Sequence, residues 1–277
     1  MGKSLKQLLD SNEIVVAPGC HDSLGAKIIE TMGFEAVYMT GNGATASQIG
    51  KPDVGLLSMT EMVATAQRIS NTVNIPIIAD ADTGYGNKNN VARTVKEYEQ
   101  VGVSAIHLED QVTPKKCGAM SGIELISIEE HVEKIQTALK ERKSEDFLII
   151  GRTDARSTLG LEEAIKRGKA YADAGSDLVI VEMLESVEEM KEVAKRIDAP
   201  LMFSYVDYSR IPNVTFKQLE EFGYKLVIYP LSSTLAYAKT MQELLTSLKQ
   251  NQTTKEFEER MLSLHEYEEL LELQKYR

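Results

Sequence analysis

Five places in the 277-residue sequence set acids, a guanidinium or a thiol against short apolar runs. IIADADTG carries Asp80 and Asp82, AIHLED carries His107, Glu109 and Asp110, LIIGRTD carries Arg152 and Asp154, and LVIVE ends at Glu182. A fifth, TPKKCG, holds Lys115, Lys116, Cys117 and Gly118. Charges directly after buried apolar strands are costly unless they are paired or bound to a metal. Both carboxylates of the D-x-D can reach the mouth of a barrel, and oxygen ligands with waters suit Mg²⁺. Alone, such a pair serves equally as a helix cap or a salt-bridged turn. With Glu109 on the neighbouring rim, three carboxylates converge and call for a cation.

The other groups each carry two readings. Arg152 can fork onto a substrate carboxylate, or bridge to Asp154 or Glu182. Thr40-Gly41-Asn42-Gly43 offers backbone N–H groups where glycine permits close approach. His107 shares the pleat parity of Glu109 and is either catalytic or a hydrogen-bonded core residue. Two adjacent ammonium groups favour the Cys117 thiolate, or tune the thiol as a proton donor; otherwise it is a surface thiol in a basic loop. Cys20 reads as buried packing.

The elements that must position these groups alternate. β-rich runs at 14–17, 36–40, 76–80, 105–109, 147–151, 178–182, 201–205 and 226–229 are separated by apolar residues at helical spacing, as in 58–71, 90–101, 161–174 and 186–196. Such alternation implies a parallel sheet. MGFEAVYM, VGVSAIHL, AGSDLVIV and FGYKLVIY repeat one design, a glycine helix cap and a turn leading into every second strand. Eight strands suit a closed (β/α)8 TIM-type barrel, with a doubly wound sheet as the alternative, and the acids would then stand at the C-terminal rim, where barrel sites lie. Residues 1–250 form the expected barrel and 251–277 a C-terminal extension of the same domain. Residues 111–127 form a long, functional or mobile loop, and 254–277 read as a charged amphipathic helix that packs on a neighbouring subunit or caps the barrel.

The net charge of −11 argues against nucleic-acid binding, which needs a basic face. No apolar run approaches the roughly 20 residues of a membrane span. The polar start, MGKSLKQLLDSNE, lacks a signal peptide's apolar stretch, so the expected location is cytoplasmic. Two cysteines are too few for a disulfide framework.

In ADADTGYGN, HLEDQVTPKKCG and GRTDA, with YMTGNGATASQIGKPDVG and VIYPLSS, the chain resembles the isocitrate lyase and phosphoenolpyruvate mutase superfamily over nearly the whole barrel. The affinity is to its 2-methylisocitrate lyase-like and carboxyphosphonoenolpyruvate mutase-like branch. The resemblance implies a homotetramer whose last helices swap between subunits, and Mg²⁺, with Mn²⁺ as the alternative, beside a pyruvate-like group. Asp80 would be the principal metal residue, with Asp82 and Glu109 acting through metal-bound waters. Thr40, Gly41, Asn42 and Arg152 would hold the 2-oxo acid carboxylate. Tyr38, Asp53, His107, Gly118, Glu182 and Ser204 would complete the substrate pocket, and Cys117, Arg152, Lys115 and Glu109 the catalytic set.

The implied reaction is cleavage of a 2-hydroxy di- or tricarboxylate, 2-methylisocitrate or a 2-alkylmalate, with Cys117 as general acid. Ala119 and Met120 stand where lyases continue with histidine after K-K-C-G, and Ser204 where 2-methylisocitrate lyases have asparagine; both changes weaken the case for a tricarboxylate. Oxaloacetate decarboxylation or phosphonate mutase or hydrolase chemistry is the alternative, and a non-catalytic 2-oxo acid sensor the second.

Overall fold

A computed structural model describes residues 2–210 and 213–277. Strands β1 (Val15–Cys20), β2 (Val37–Met39), β3 (Ile77–Asp80), β4 (Ala105–Glu109), β5 (Leu148–Thr153), β6 (Leu178–Val181), β7 (Leu201–Ser204) and β8 (Tyr224–Tyr229) pair in chain order. All pairings are parallel and β8 closes back on β1. This is the (β/α)8 barrel expected from the alternation, and it excludes the open sheet. Gly33, Gly102, Gly175 and Gly223 take φ of +85°, +86°, +97° and +104°, so each of the four repeated glycines makes its left-handed turn into an even-numbered strand.

Strand side chains alternate between the two faces of the sheet. Ala36 and Tyr38, Ile78, Ala105, Leu148 and Ile150, Leu178 and Ile180, Met202, and Leu226 and Ile228 fill the barrel interior, with Leu5 and Leu8 of the N-terminal helix Leu5–Leu9 in the same cluster. Continuing that parity to the C-terminal ends gives Thr40, Asp80, His107 and Glu109, Arg152, Glu182 and Ser204, all buried. One inward-facing set is therefore apolar below and ionisable above. Pairing register fixes the neighbours: Asp80 lies beside His107 and Glu109 beside Arg152.

Helices Met59–Ser70, Lys88–Gln100, Leu161–Asp173 and Val187–Arg196 lie within the expected segments or within two residues of them. The first two are closed by capping boxes at Ser58 and Asn87. The tail differs from expectation. Instead of one helix, it forms turns at Lys255–Arg260 and Leu273–Tyr276 around a short helix, Leu264–Leu270. Met261 is extended (φ −116°, ψ 151°) and Glu272 left-handed (φ +55°), and the two interrupt it. The preceding helix, Ser232–Asn251, buries none of its residues within the chain.

A buried polar knot ties the rim to the helices. Asp110 accepts hydrogen bonds from Thr153 Oγ1 (2.7 Å), the Asp154 amide (3.0 Å), Arg167 Nη1 (2.9 Å) and Tyr171 OH (2.7 Å). Nearby, His131 is fully buried against the Tyr171 ring, 4.5 Å between centroids. Burial, then the Lys134 and Arg167 charges, push its imidazole down to about 3. In the unfolded chain histidine takes a proton near pH 6.5. The contribution of His131 to stability is therefore whole above that pH and declines as pH falls toward 3, by about 2 kcal/mol at pH 5. Replacing His131 with Leu should remove that part of the acid sensitivity: the wild type should lose about 2 kcal/mol more than the variant between pH 7 and pH 5 in urea unfolding. Equal losses would show that His131 does not resist protonation.

Candidate active site

A cavity of about 40 Å³ lies at the C-terminal mouth of the barrel. Tyr38, Thr40, Asn42, Asp53, Asp80, Lys115, Cys117, Gly118, Arg152, Glu182 and Ser204 line it, drawn from five strand ends, the start of one helix and two loops. Gly41, Asp82, His107 and Glu109 stand outside the lining set. Gly41 begins the helix Gly41–Ile49, whose N-cap is Thr40, and a Cβ on it would come 2.4 Å from Asp80 Oδ2. Glycine there lets a helix N-terminus, with its unpaired amides, press against the rim carboxylates, a natural seat for an anion.

The acids do not face one another bare. Lys115, buried on the long loop, places Nζ 2.7 Å from Asp53 Oδ2 and 2.8 Å from Asp82 Oδ1. Arg152 forks onto Asp154 (Nε–Oδ2 3.1 Å, Nη2–Oδ1 2.7 Å) and lies 3.4 Å from Glu109. Of its two expected roles, the bridge to Asp154 is therefore present in this state. Tyr38 OH lies 2.8 Å from His107 Nε2, and Asp80 Oδ1 accepts the Asp82 amide at 2.9 Å.

The local charges split the carboxylates. Burial alone would raise Asp80, but the His107, Lys115 and Arg152 charges and the Asp82 amide outweigh it and hold the carboxyl at about 2. Asp82 is pushed up to about 6 by burial, with Lys115 offsetting and Asp80 and Asp53 adding to the rise. Burial lifts Glu182 to about 7 and Glu109 well above the usual range, in both cases against the opposing pull of Arg152. Both Glu109 oxygens, Asp82 Oδ1 and Glu182 Oε2 are buried without a partner in hydrogen-bond geometry; the Lys115–Asp82 contact is a close charge pair only. Orphaned carboxylate oxygens of this kind fit a hard divalent cation. Among the described residues no three His, Cys, Asp or Glu close around one point. A cation here would take few protein oxygens directly and complete its shell with water and substrate, as Mg²⁺ does.

Residues 111–127 are folded over the cavity. The strand-like neck is zipped by Val112 N to Glu124 O (2.8 Å) and Ile126 N to Asp110 O (2.9 Å), and Arg167 Nη1 donates to Ile126 O at 3.0 Å. The Cys117 amide donates to Asp53 O at 3.0 Å. Lys115 turns to the acids and Lys116 Nζ to Gly122 O at 2.6 Å, so neither ammonium pairs with the thiol, and burial outweighs the pull that the Lys115 charge still exerts. Burial instead raises the Cys117 thiol above its ordinary value, which corrects the thiolate reading and leaves a protonated donor. Cys20 is fully buried, as expected, and burial lifts it to about 12.

The site has a second wall to which the sequence assigned no pocket role: Val206, Ile228, Pro230 and Leu231, with Ala119, noted there only for standing in place of a histidine. Apolar residues after strands seven and eight carry no signature distinguishing pocket from packing. Only the inward parity of Ile228, continued to Pro230, pointed there. Asp154, which uses both forked donors of Arg152, was likewise visible only as a partner for it.

Gly118 is packed tightly. A Cβ there would meet Arg152 Nη2 and Asp154 Oδ1 at 2.7 Å and Glu182 Cγ at 2.9 Å. Gly118→Val should therefore hold the loop off the site. The rate of Cys117 modification by a small disulfide reagent should rise at least about tenfold, read by mass spectrometry against silent Cys20 as control. An unchanged rate would mean that the loop closes without this contact.

The phosphoenolpyruvate phosphomutase family model matches residues 5–249. The 2,3-dimethylmalate lyase of Eubacterium barkeri is 48% identical over 273 residues, covering 99% of this chain and 94% of that protein. A structure of oxaloacetate acetylhydrolase with the inhibitor 3,3-difluorooxalacetate superposes with a TM-score of 0.93 at 32% identity, over 99% of this chain and 94% of that one. Phosphonopyruvate hydrolase in complex with oxalate and Mg²⁺ superposes with a TM-score of 0.89 at 32% identity, covering 99% and 95%. With a matching barrel and relatives of this kind along its whole length, the chain is a member of the phosphoenolpyruvate mutase and isocitrate lyase superfamily of enzymes.

Proposed function

We propose that the protein is a Mg²⁺-dependent carbon–carbon lyase that cleaves a malate-type 2-hydroxy acid to a 2-oxo acid, such as pyruvate, and a second carboxylate. The observation that carries this reading is Cys117: a thiol, kept protonated by burial, in the wall of a cavity that also presents the carboxylates of Asp53, Asp80 and Glu182 and the cations Lys115 and Arg152. Decarboxylation or phosphonate hydrolysis leaves an enolate mild enough for water to protonate, whereas this C–C cleavage leaves a far more basic carbanion on C3 that needs a donor beside it. The 48% identity to a 2,3-dimethylmalate lyase supports the substrate class.

The residues divide the work as follows. Asp80, with Asp82 and Glu109 through water, would hold the Mg²⁺, Mn²⁺ substituting; the ion would supply positive charge to the oxygens of the 2-oxo acid. The amides of Gly41 and Asn42, Thr40 and Arg152 receive the carboxylate next to the hydroxyl-bearing carbon. Tyr38 and His107, hydrogen-bonded together, and Asp53 shape that half of the pocket, and Lys115 holds Asp53 and Asp82 in place. The hydroxyl proton passes to a neighbouring carboxylate, a role for which Glu182 has an unpartnered Oε2 and a proton affinity near neutrality. The bond between C2 and C3 breaks, C2 becomes the carbonyl carbon, and the electron pair remains on C3. Cys117 then gives C3 its S–H proton. The folded loop, with Gly118 against Arg152 and Ser204 against Glu182 (3.2 Å), excludes water meanwhile.

No described helix is long and apolar enough to cross a membrane, and we place the enzyme in the cytoplasm. The exposed apolar residues of 232–277, among them Leu245, Leu248, Leu262 and Leu264, support a homotetramer in which the C-terminal extension, 251–277, packs on a neighbour.

Pyruvate release from 2,3-dimethylmalate, 2-methylisocitrate and oxaloacetate, with and without Mg²⁺, tests the reading. Mg²⁺-dependent release from a hydroxy acid should fall by about 10²–10⁴-fold in Cys117→Ala, the usual worth of a positioned general acid. Pyruvate release from oxaloacetate alone, unaffected by Cys117→Ala, would replace the lyase with a decarboxylase. Mg²⁺ with oxalate should also raise the Tm of the wild type but not of Asp80→Asn. Equal shifts would remove Asp80 from the metal set.

A further inference from the structure

Behind the closed cavity lies a larger space. A groove of about 910 Å³ runs between the loop residues Ala119 and Met120, the β6 and β7 connections at Met183 and Val206, and the start of the helix Ser232–Asn251 at Leu231 and Leu235. Gly118, Ala119, Val206 and Leu231 line both spaces, so the two adjoin across these four residues. Their junction is next to Cys117, on the side where C3 receives its proton, away from the end formed by Thr40 and Asn42.

The chemistry of the groove is mainly apolar. Its charged residues are already engaged or face solvent. Glu185 pairs with Arg156 at 3.0 Å and with Arg210 at 3.6 Å, Arg156 is further held by Glu189, and Asp207 accepts the Ser232 hydroxyl at 2.5 Å. The Arg210 side chain is largely exposed. Among the described residues no buried cation faces the groove to receive a third carboxylate. Ala119 contributes only a methyl to the boundary between the two spaces, and adds no polar group there.

We propose that this groove is the subsite for an apolar substituent on C3 of the substrate. Resting on the lyase reading above, this makes the preferred substrates 2-methylmalates whose C3 carries an alkyl arm longer than methyl. Cleavage then releases pyruvate and the correspondingly longer straight-chain carboxylate. The C2 substituent, facing the small cavity, stays limited in size.

The experiment measures kcat/KM for pyruvate release from 2-methylmalates carrying methyl, ethyl, propyl, butyl or carboxymethyl at C3, with Mg²⁺, for the wild type and Leu235→Trp. In the wild type kcat/KM should hold level or rise with each methylene, by at most about fourfold. The carboxymethyl compound should fall at least about tenfold below propyl, and Leu235→Trp should lower the butyl-to-methyl ratio at least about tenfold. A tenfold fall per added methylene, a preference for carboxymethyl, or a ratio unmoved by Leu235→Trp overturns the subsite while leaving the lyase intact. If none of the acids releases pyruvate, the lyase reading fails, and calorimetric binding of the same acids with Mg²⁺ decides the groove separately. Dissociation constants that tighten with arm length, and cease to do so in Leu235→Trp, uphold it; absent or length-independent binding overturns it.

Discussion

The structure turns on charge compensation at the mouth of the barrel. The inward parity of eight parallel strands ends in Asp80, Glu109, Glu182 and an arginine, with Asp53 and Asp82 arriving from loops, all buried. Burying an ionised carboxylate without a partner is prohibitive. Two cations answer it from within the chain, Arg152 on β5 and Lys115 on the loop. Because Lys115 belongs to the loop, neutralising Asp53 and Asp82 and covering the site are one event. The loop is held shut by the same electrostatics that stabilise the acids, and it brings Cys117 and Gly118 with it.

That compensation is incomplete, and the remainder is what makes the place chemically useful. Glu109 keeps two buried oxygens without hydrogen bonds and Glu182 keeps one, while Asp80 is held ionised. Carboxylates whose proton affinities are driven apart by their surroundings are the usual mark of an acid–base site. A divalent cation and an anionic substrate, entering together, would supply the missing positive charge and be held in turn by Arg152 and the N-terminus of the helix Gly41–Ile49. The Asp110 knot is the rigid part beneath. It fixes Thr153 and the Asp154 amide on one side and, through Arg167, the end of the loop on the other, so Arg152 and the loop are located by one buried carboxylate.

Much of this was legible in the sequence because it depends on period and position. Strand parity placed Asp80, His107, Glu109 and Arg152 on one rim, and four glycines announced the turns into the even strands. What the sequence concealed were directions of side chains in irregular backbone. Lys115 and Lys116 are adjacent to Cys117 in the chain yet turn away from it, so the expected thiolate is a buried thiol. Asp154, rather than an empty pocket, occupies the fork of Arg152. The tail carries helical spacing, but an extended Met261 and a left-handed Glu272 divide it, which no periodicity reveals. The apolar wall at Val206, Pro230 and Leu231 uses the same residue types as the core and emerges only when the barrel is closed.

The central claim, that Cys117 delivers a proton to a carbanionic carbon inside a closed site, is tested most directly by cleaving a 2,3-dimethylmalate in D₂O and examining the propionate. One deuterium on the carbon next to the carboxylate, in a single stereochemical sense, is the result expected for delivery by one fixed thiol. Deuterium in both senses equally, as water would deliver it to a released carbanion, would contradict the account.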